Sequence, residues 1–90
     1  MEKKYIFKLY LSWQTSKSEW LIRDLVEIFD KNLKDQYSLK VIDVTENPEL
    51  AVQADIICTP TLIKEQPEPY SKCIIGYFIN EKTFLSGLKL

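Results

Sequence analysis

The segment Tyr5-Ile6-Phe7-Lys8-Leu9-Tyr10-Leu11 carries apolar side chains at both parities of an extended chain. That pattern predicts a central strand covered on two sides rather than a half-exposed one. A polar stretch from Ser12 to Ser18 follows, and Ser16-Lys17-Ser18-Glu19 has the spacing of a capping box. Beyond it Ile22, Leu25, Val26, Phe29 and Leu33 recur at helical spacing, with Arg23, Asp24, Glu27, Asp30, Lys31 and Lys34 on the opposite side. The spacing predicts a helix over roughly 17–35. Tyr37 to Val44 reads as a second strand. Asn47-Pro48 then predicts a short helix to about residue 54, with Asn as N-cap and Pro at the first helical position. Thr59 to Lys64 is the third strand, in which Pro60 requires an edge, a strand start or a cis bond. Gln66 to Pro69 is a connector, Lys72 to Phe78 a fourth strand, and Asn80 caps a last helix ending at Leu88.

The order β-α-β-α-β-β-α opens with a right-handed crossover, so the first two strands run parallel. The short connector between the last two fits an antiparallel pair. The expectation is a single α/β domain over residues 1–90, with a four-stranded mixed sheet flanked by helices in a thioredoxin-like arrangement.

Ninety residues, 46% of them apolar, are enough for one core and too few for a second. The net charge is −1 and neither half of the chain departs far from neutrality, so no basic patch recommends a nucleic acid as partner. The absence of histidine removes Ser-His and Cys-His catalysis and any His-ligated metal. Cys58 and Cys73 are too few for a Cys₄ zinc site and match no CxxC spacing. Two cysteines without a secretory signal, and no apolar run of membrane-spanning length, set the expectation of a cytoplasmic protein away from the membrane.

A thioredoxin-type enzyme would place a dithiol after the first strand. Here that stretch is Ser12-Trp13-Gln14-Thr15-Ser16-Lys17, which has no thiol to attack a disulfide. No catalytic residue, metal or cofactor is expected. Cys58, before Thr59-Pro60, has two readings. One is a thiol serving a glutathione-handling or thioredoxin-like site; the other, favoured by residue type, is a packed structural cysteine. Cys73, on a strand, is expected to pack. Trp20 fits the helical stripe poorly and, with Trp13, is a candidate exposed anchor. Glu19, Asp24, Glu27 and Asp30 read as a solvated helix face.

Lys8-Leu9-Tyr10, Tyr37 to Val44, Asn47-Pro48-Glu49-Leu50-Ala51, Thr59-Pro60-Thr61-Leu62 and Ile74-Ile75-Gly76 stand in an order and spacing that resemble the KaiB family of circadian-clock proteins. They also resemble the KaiB-like sensor domain of the SasA kinases. The resemblance implies a non-enzymatic module that binds a KaiC-like ring ATPase and, with it, other clock proteins. It further implies two folds: a monomer with the thioredoxin-like fold, and a tetramer with a β-α-β-β-α-α-β order. On the family pattern Ser38, Lys40, Lys64 and Lys72 fall at partner-facing positions and Pro60 at a cis-proline. Gly87 and Lys89 fall in the segment that sets the balance between folds. The chain departs from the pattern at Trp20, Asp55 and Lys89, and in the length of the Tyr70–Cys73 stretch. Lys89 in place of an aspartate complements the negative end of a last helix, and the expectation is the monomeric thioredoxin-like state. A KaiB-like stress-response protein without a clock role is the remaining alternative.

Overall fold

The computed structural model describes residues 4–12, 16–76 and 80–88, with the side chain of Ser16 excepted. Its order is β1 (Tyr5–Leu11), α1 (Ser16–Leu33), β2 (Tyr37–Asp43), α2 (Pro48–Gln53), β3 (Thr61–Gln66), β4 (Ser71–Ile74) and α3 (Glu81–Gly87). The strands form one sheet in the order β2-β1-β3-β4. Strand β1 pairs parallel with β2 and antiparallel with β3, and β3 pairs antiparallel with β4. This is the expected β-α-β-α-β-β-α arrangement. Trp13, the Ser16 half of the capping box and Lys89 lie outside what is described.

Side-chain alternation on β1 divides the molecule into two layers. Phe7, Leu9 and Leu11 point to one face, where they meet Leu21, Leu25, Ile28, Phe29 and Leu33 of α1 and Phe84 of α3. Phe29 anchors this layer, stacked on Phe7 with ring centroids 4.2 Å apart and tilted against Tyr37 and Phe84. Burying each such ring contributes roughly 1.5–3 kcal/mol. The other face holds a smaller cluster of Tyr10, Ile42 and Ile63, covered by Leu50 of α2 and by Ala54 and Ile56 after it. Ile22 and Val26, placed in the core stripe by spacing, sit at its flank. Leu21 and Ile28 go deeper, because the helix presents the side of its wide apolar stripe nearest β1.

The helix ends show what local chemistry decides. Asn80 accepts a hydrogen bond from the Thr83 amide at 3.1 Å, the expected cap of α3. Asn47 does not cap α2. Its amide instead donates to the Asp43 carbonyl at 3.1 Å, while Asp43 Oδ1 accepts from Thr45, so both side chains hold the turn between β2 and α2. Helix α2 stops in a Schellman arrangement: the Ile56 amide donates to Ala51 and the Asp55 amide to Val52, with Asp55 at φ 57. Strand β4 runs over Ser71–Ile74, so Ile75 and Gly76 of the expected strand lie beyond it, Tyr77 and Phe78 lie outside the described residues, and β3 begins only after Pro60.

The third strand corrects one expectation. Leu62 and Lys64 share the face of the larger core, Lys64 standing opposite Phe7, and Lys64 is only 1% exposed. It is therefore withheld from any partner in this structure. Parity decides this: Ile63 and Glu65 take the α2 face, which leaves Lys64 with the core.

Two outcomes follow from this packing. Lys64→Glu puts a carboxylate where an ammonium is buried and is expected to lower stability by about 3 kcal/mol or more. The exposed Lys40→Glu is expected to stay within about 0.5 kcal/mol of the parent, and denaturant melts of both check the contrast. Tyr37 donates to Asp30 at 2.7 Å, and burial together with that bond pushes its phenol up from 10.0 to about 12. A group raised on folding contributes stability that is complete below its unfolded value and lost as pH climbs through the folded one. Stability is thus expected to fall between pH 10 and 12, and less so in Tyr37→Phe. Denaturation curves at pH 7 and 11 make the comparison.

Candidate functional site

Edge strand β2 is exposed at alternate positions. Tyr37, Leu39 and Val41 lean on the larger core, whereas Ser38 and Lys40 are exposed on the α2 face. Helix α2 is only six residues long and covers the Ile42 end of that face. Among the described residues no helix packs over the Ser38 end.

Register then brings lysines together that are far apart in sequence. Lys40 stands opposite Lys8, Lys8 opposite Ile63, and Ile63 opposite Lys72, so one row crosses the whole sheet on the α2 face. With strands about 4.8 Å apart, Lys40 and Lys72 are roughly 14 Å apart along that row. Ser38 sits one row away, opposite Ile6. Of the four positions expected to face a partner, Ser38, Lys40 and Lys72 therefore share one surface. Lys64 lies on the opposite face, buried.

The three lysines differ in what holds them. Lys72 Nζ donates to the carbonyls of Ala54 and Asp55 at 3.2 and 2.9 Å, so its charge sits at the negative end of α2. Lys8 forms an ion pair with Glu65 at 3.1 Å, each side chain about a third exposed. The hydrogen bond to Glu65 raises the Lys8 ammonium above its ordinary value, against a smaller opposing effect of desolvation. Lys40 is exposed and makes no ion pair among the described residues. Lys8 was missed in the sequence reading. Its signal is there: it is the one charged residue within the apolar run of β1.

Beside the row lies a groove of about 310 Å³. Tyr10 and Ile63 line its floor, Leu50 and Ala54 its α2 wall, and Tyr70, Lys8 and Glu65 its rim. Glu65 reaches this rim at a register shift: Phe7 pairs with Lys64 but Ile6 pairs with Gln66, which leaves Glu65 as an extra residue on β3.

The thiol reading gains an exposed sulfur and nothing more. Cys58 is exposed, against the expectation that it packs, because it lies in the loop before β3. There its carbonyl accepts the Thr61 hydroxyl at 2.6 Å. The Thr59–Pro60 peptide that follows is cis. Cys73 is half-buried against the larger core. Glu19, Asp24, Glu27 and Asp30 are exposed along α1, and so is Trp20, at 59%. Among the described residues no group of His, Cys, Asp and Glu could hold a metal ion. No described helix is long and apolar enough to cross a membrane. Gly87 ends α3 with nothing within 4 Å of where a Cβ would stand.

Comparison with known proteins agrees with this architecture. The fold is similar to the N-terminal domain of Synechococcus elongatus SasA, with a TM-score of 0.71, 20% identity, and coverage of 86% of this chain and 72% of that one. It is similar also to oxidised mitochondrial thioredoxin 3 of Saccharomyces cerevisiae, with a TM-score of 0.70, 17% identity, and coverage of 97% and 78%. Identities this low speak of fold alone. The sequence comparisons say more. The chain is 42% identical over 90 residues, all of its length and 82% of the relative's, to the circadian clock oscillator protein KaiB of Thermostichus vulcanus. It is 41% identical, over 100% and 86% of the two lengths, to the protein of that name from Trichodesmium erythraeum. A family model for the KaiB domain matches residues 8–90. With both the sheet order and the whole sequence in agreement, the chain belongs to the KaiB family.

Proposed function

We propose that this protein is a non-enzymatic binding module that docks on a KaiC-like ring ATPase through the α2 face of its sheet, in a clock or related signalling system. The observation that carries the reading is the position of Ser38 and Lys40: exposed on edge strand β2, on a part of the sheet that no helix covers among the described residues, in a chain of this family. Lys40 supplies a charge with no ion-pair partner among the described residues, and Lys72 a second charge in the same row. Such charges steer a complementary acidic surface and act mainly on the association rate. The monomer in the thioredoxin-like order is the form that binds, with the family's second fold as its reserve.

The absence of chemistry is part of the proposal. Cys58 has no second thiol at the start of α1, and Gly76 and Gly87 stand apart and build no phosphate-cradling loop. A cytoplasmic site of action fits a chain whose two cysteines are both free.

Lys40→Glu is expected to slow association with the KaiC-type ring of the same organism by about tenfold and to flatten its salt dependence. Stopped-flow or surface-binding kinetics at two ionic strengths measure this, and an unchanged rate would defeat the assignment of β2. The pure protein is expected to show no turnover in disulfide-reductase and ATPase assays. Measurable turnover in either would overturn the non-enzymatic reading.

A further inference from the structure

The row of lysines has an internal rival. Three ammonium groups lie on the α2 face, and Lys72 is held on the end of α2. Lys8, at the middle of the sheet, is matched by Glu65, which the register shift sets on the rim of the groove. Lys8 is thus the member of the row that sits over the apolar floor of Tyr10 and Ile63 and also meets a carboxylate. A groove of about 310 Å³ is at the lower end of the range for small-molecule sites and suits a single side chain. Its rim asks for negative charge and its floor for an apolar group.

From this geometry we infer that the groove receives an acidic segment of the partner protein, one apolar side chain filling it while a flanking carboxylate displaces Glu65 from Lys8. This rests on the docking face proposed above and adds the partner's local chemistry. Charge complementarity selects the occupant. Lys40 and Lys8 lie next to each other on adjacent strands, and such like charges repel until an anion comes between them. Glu65 supplies only one of the two countercharges that the pair can accept. It lies at the β3 end, so the Lys40 side remains open. Glu65 is accordingly a competitor for the site, and this gives the two members of one ion pair opposite effects on binding.

The test uses the full chain labelled with ¹⁵N and the acetylated, amidated peptide Glu-Glu-Leu-Glu-Glu as probe, with Gln-Gln-Leu-Gln-Gln as control. Amide shifts are expected at Lys8, Lys40, Ile63, Glu65 and Tyr70 with the acidic peptide, weakening as salt is added, and none with the neutral one. Glu65→Gln is expected to tighten binding about two- to fivefold and Lys8→Gln to weaken it by a similar factor. A merely structural ion pair would move both variants the same way, and thermal melts of each separate folding from binding. Equal binding of the two peptides, shifts confined to another surface, or same-sign effects of the two substitutions would overturn the inference. The two readings also fail separately. Binding of the acidic peptide with no ring bound would leave this inference standing and remove the ring. Ring binding indifferent to both substitutions would do the reverse.

Discussion

Strand β1 is paired on both edges and packed on both faces. Its register against β2 runs unbroken from Tyr5 to Leu11, and against β3 it slips once beside Ile6. Because side chains alternate, a shift of one residue would move Phe7, Leu9 and Leu11 away from α1, send Lys8 into the larger core and take Tyr10 out of the smaller one. The large aromatic layer makes that slip prohibitive: Phe7 stacks on Phe29, which in turn meets Tyr37 from β2 and Phe84 from α3. One strand thus fixes the position of two helices, two partner strands and the row of charges on the far face.

How much of this can be read from the sequence depends on how far each feature reaches along the chain. β1, α1 and the Asn80 cap rest on periodicity or on a bond three residues long, and these are present in the sequence pattern. Asn47 shows the limit even at short range. Its amide had two acceptable uses, capping α2 or tying the turn to Asp43, and composition does not choose between them. Lys64 and Lys40 looked equivalent as family positions. Only the pairings of β1 with β3 and with β2 show that one is in the core and the other in water. Cys58 is the converse case, a residue type that favours burial placed on a loop that turns its side chain outward.

The candidate surface was half legible for the same reason. Ser38, Lys40 and Lys72 could be named from the resemblance to the KaiB family, but nothing in the sequence puts Lys72 in line with Lys40. That alignment needs three successive strand pairings, each setting the parity of the next. Lys8 entered the surface only through those pairings. Glu65 entered through an irregularity in one of them. Features that depend on a chain of long-range registers are the last to become readable, and here they include most of what a partner would touch.

The alternation along β3 has a consequence for how such a protein diversifies. Leu62, Ile63 and Lys64 are all buried, Leu62 and Lys64 on the larger core and Ile63 in the smaller cluster, whereas Glu65 stands at the rim of the groove. Neighbouring codons in one short strand therefore answer to different selective pressures: those for Leu62, Ile63 and Lys64 to whether the chain folds, that for Glu65 to what it meets. A lineage can redraw the charge at Glu65 and along the adjoining surface, and so change allegiance, without disturbing the packing beneath. Drift at Lys64 has no such freedom.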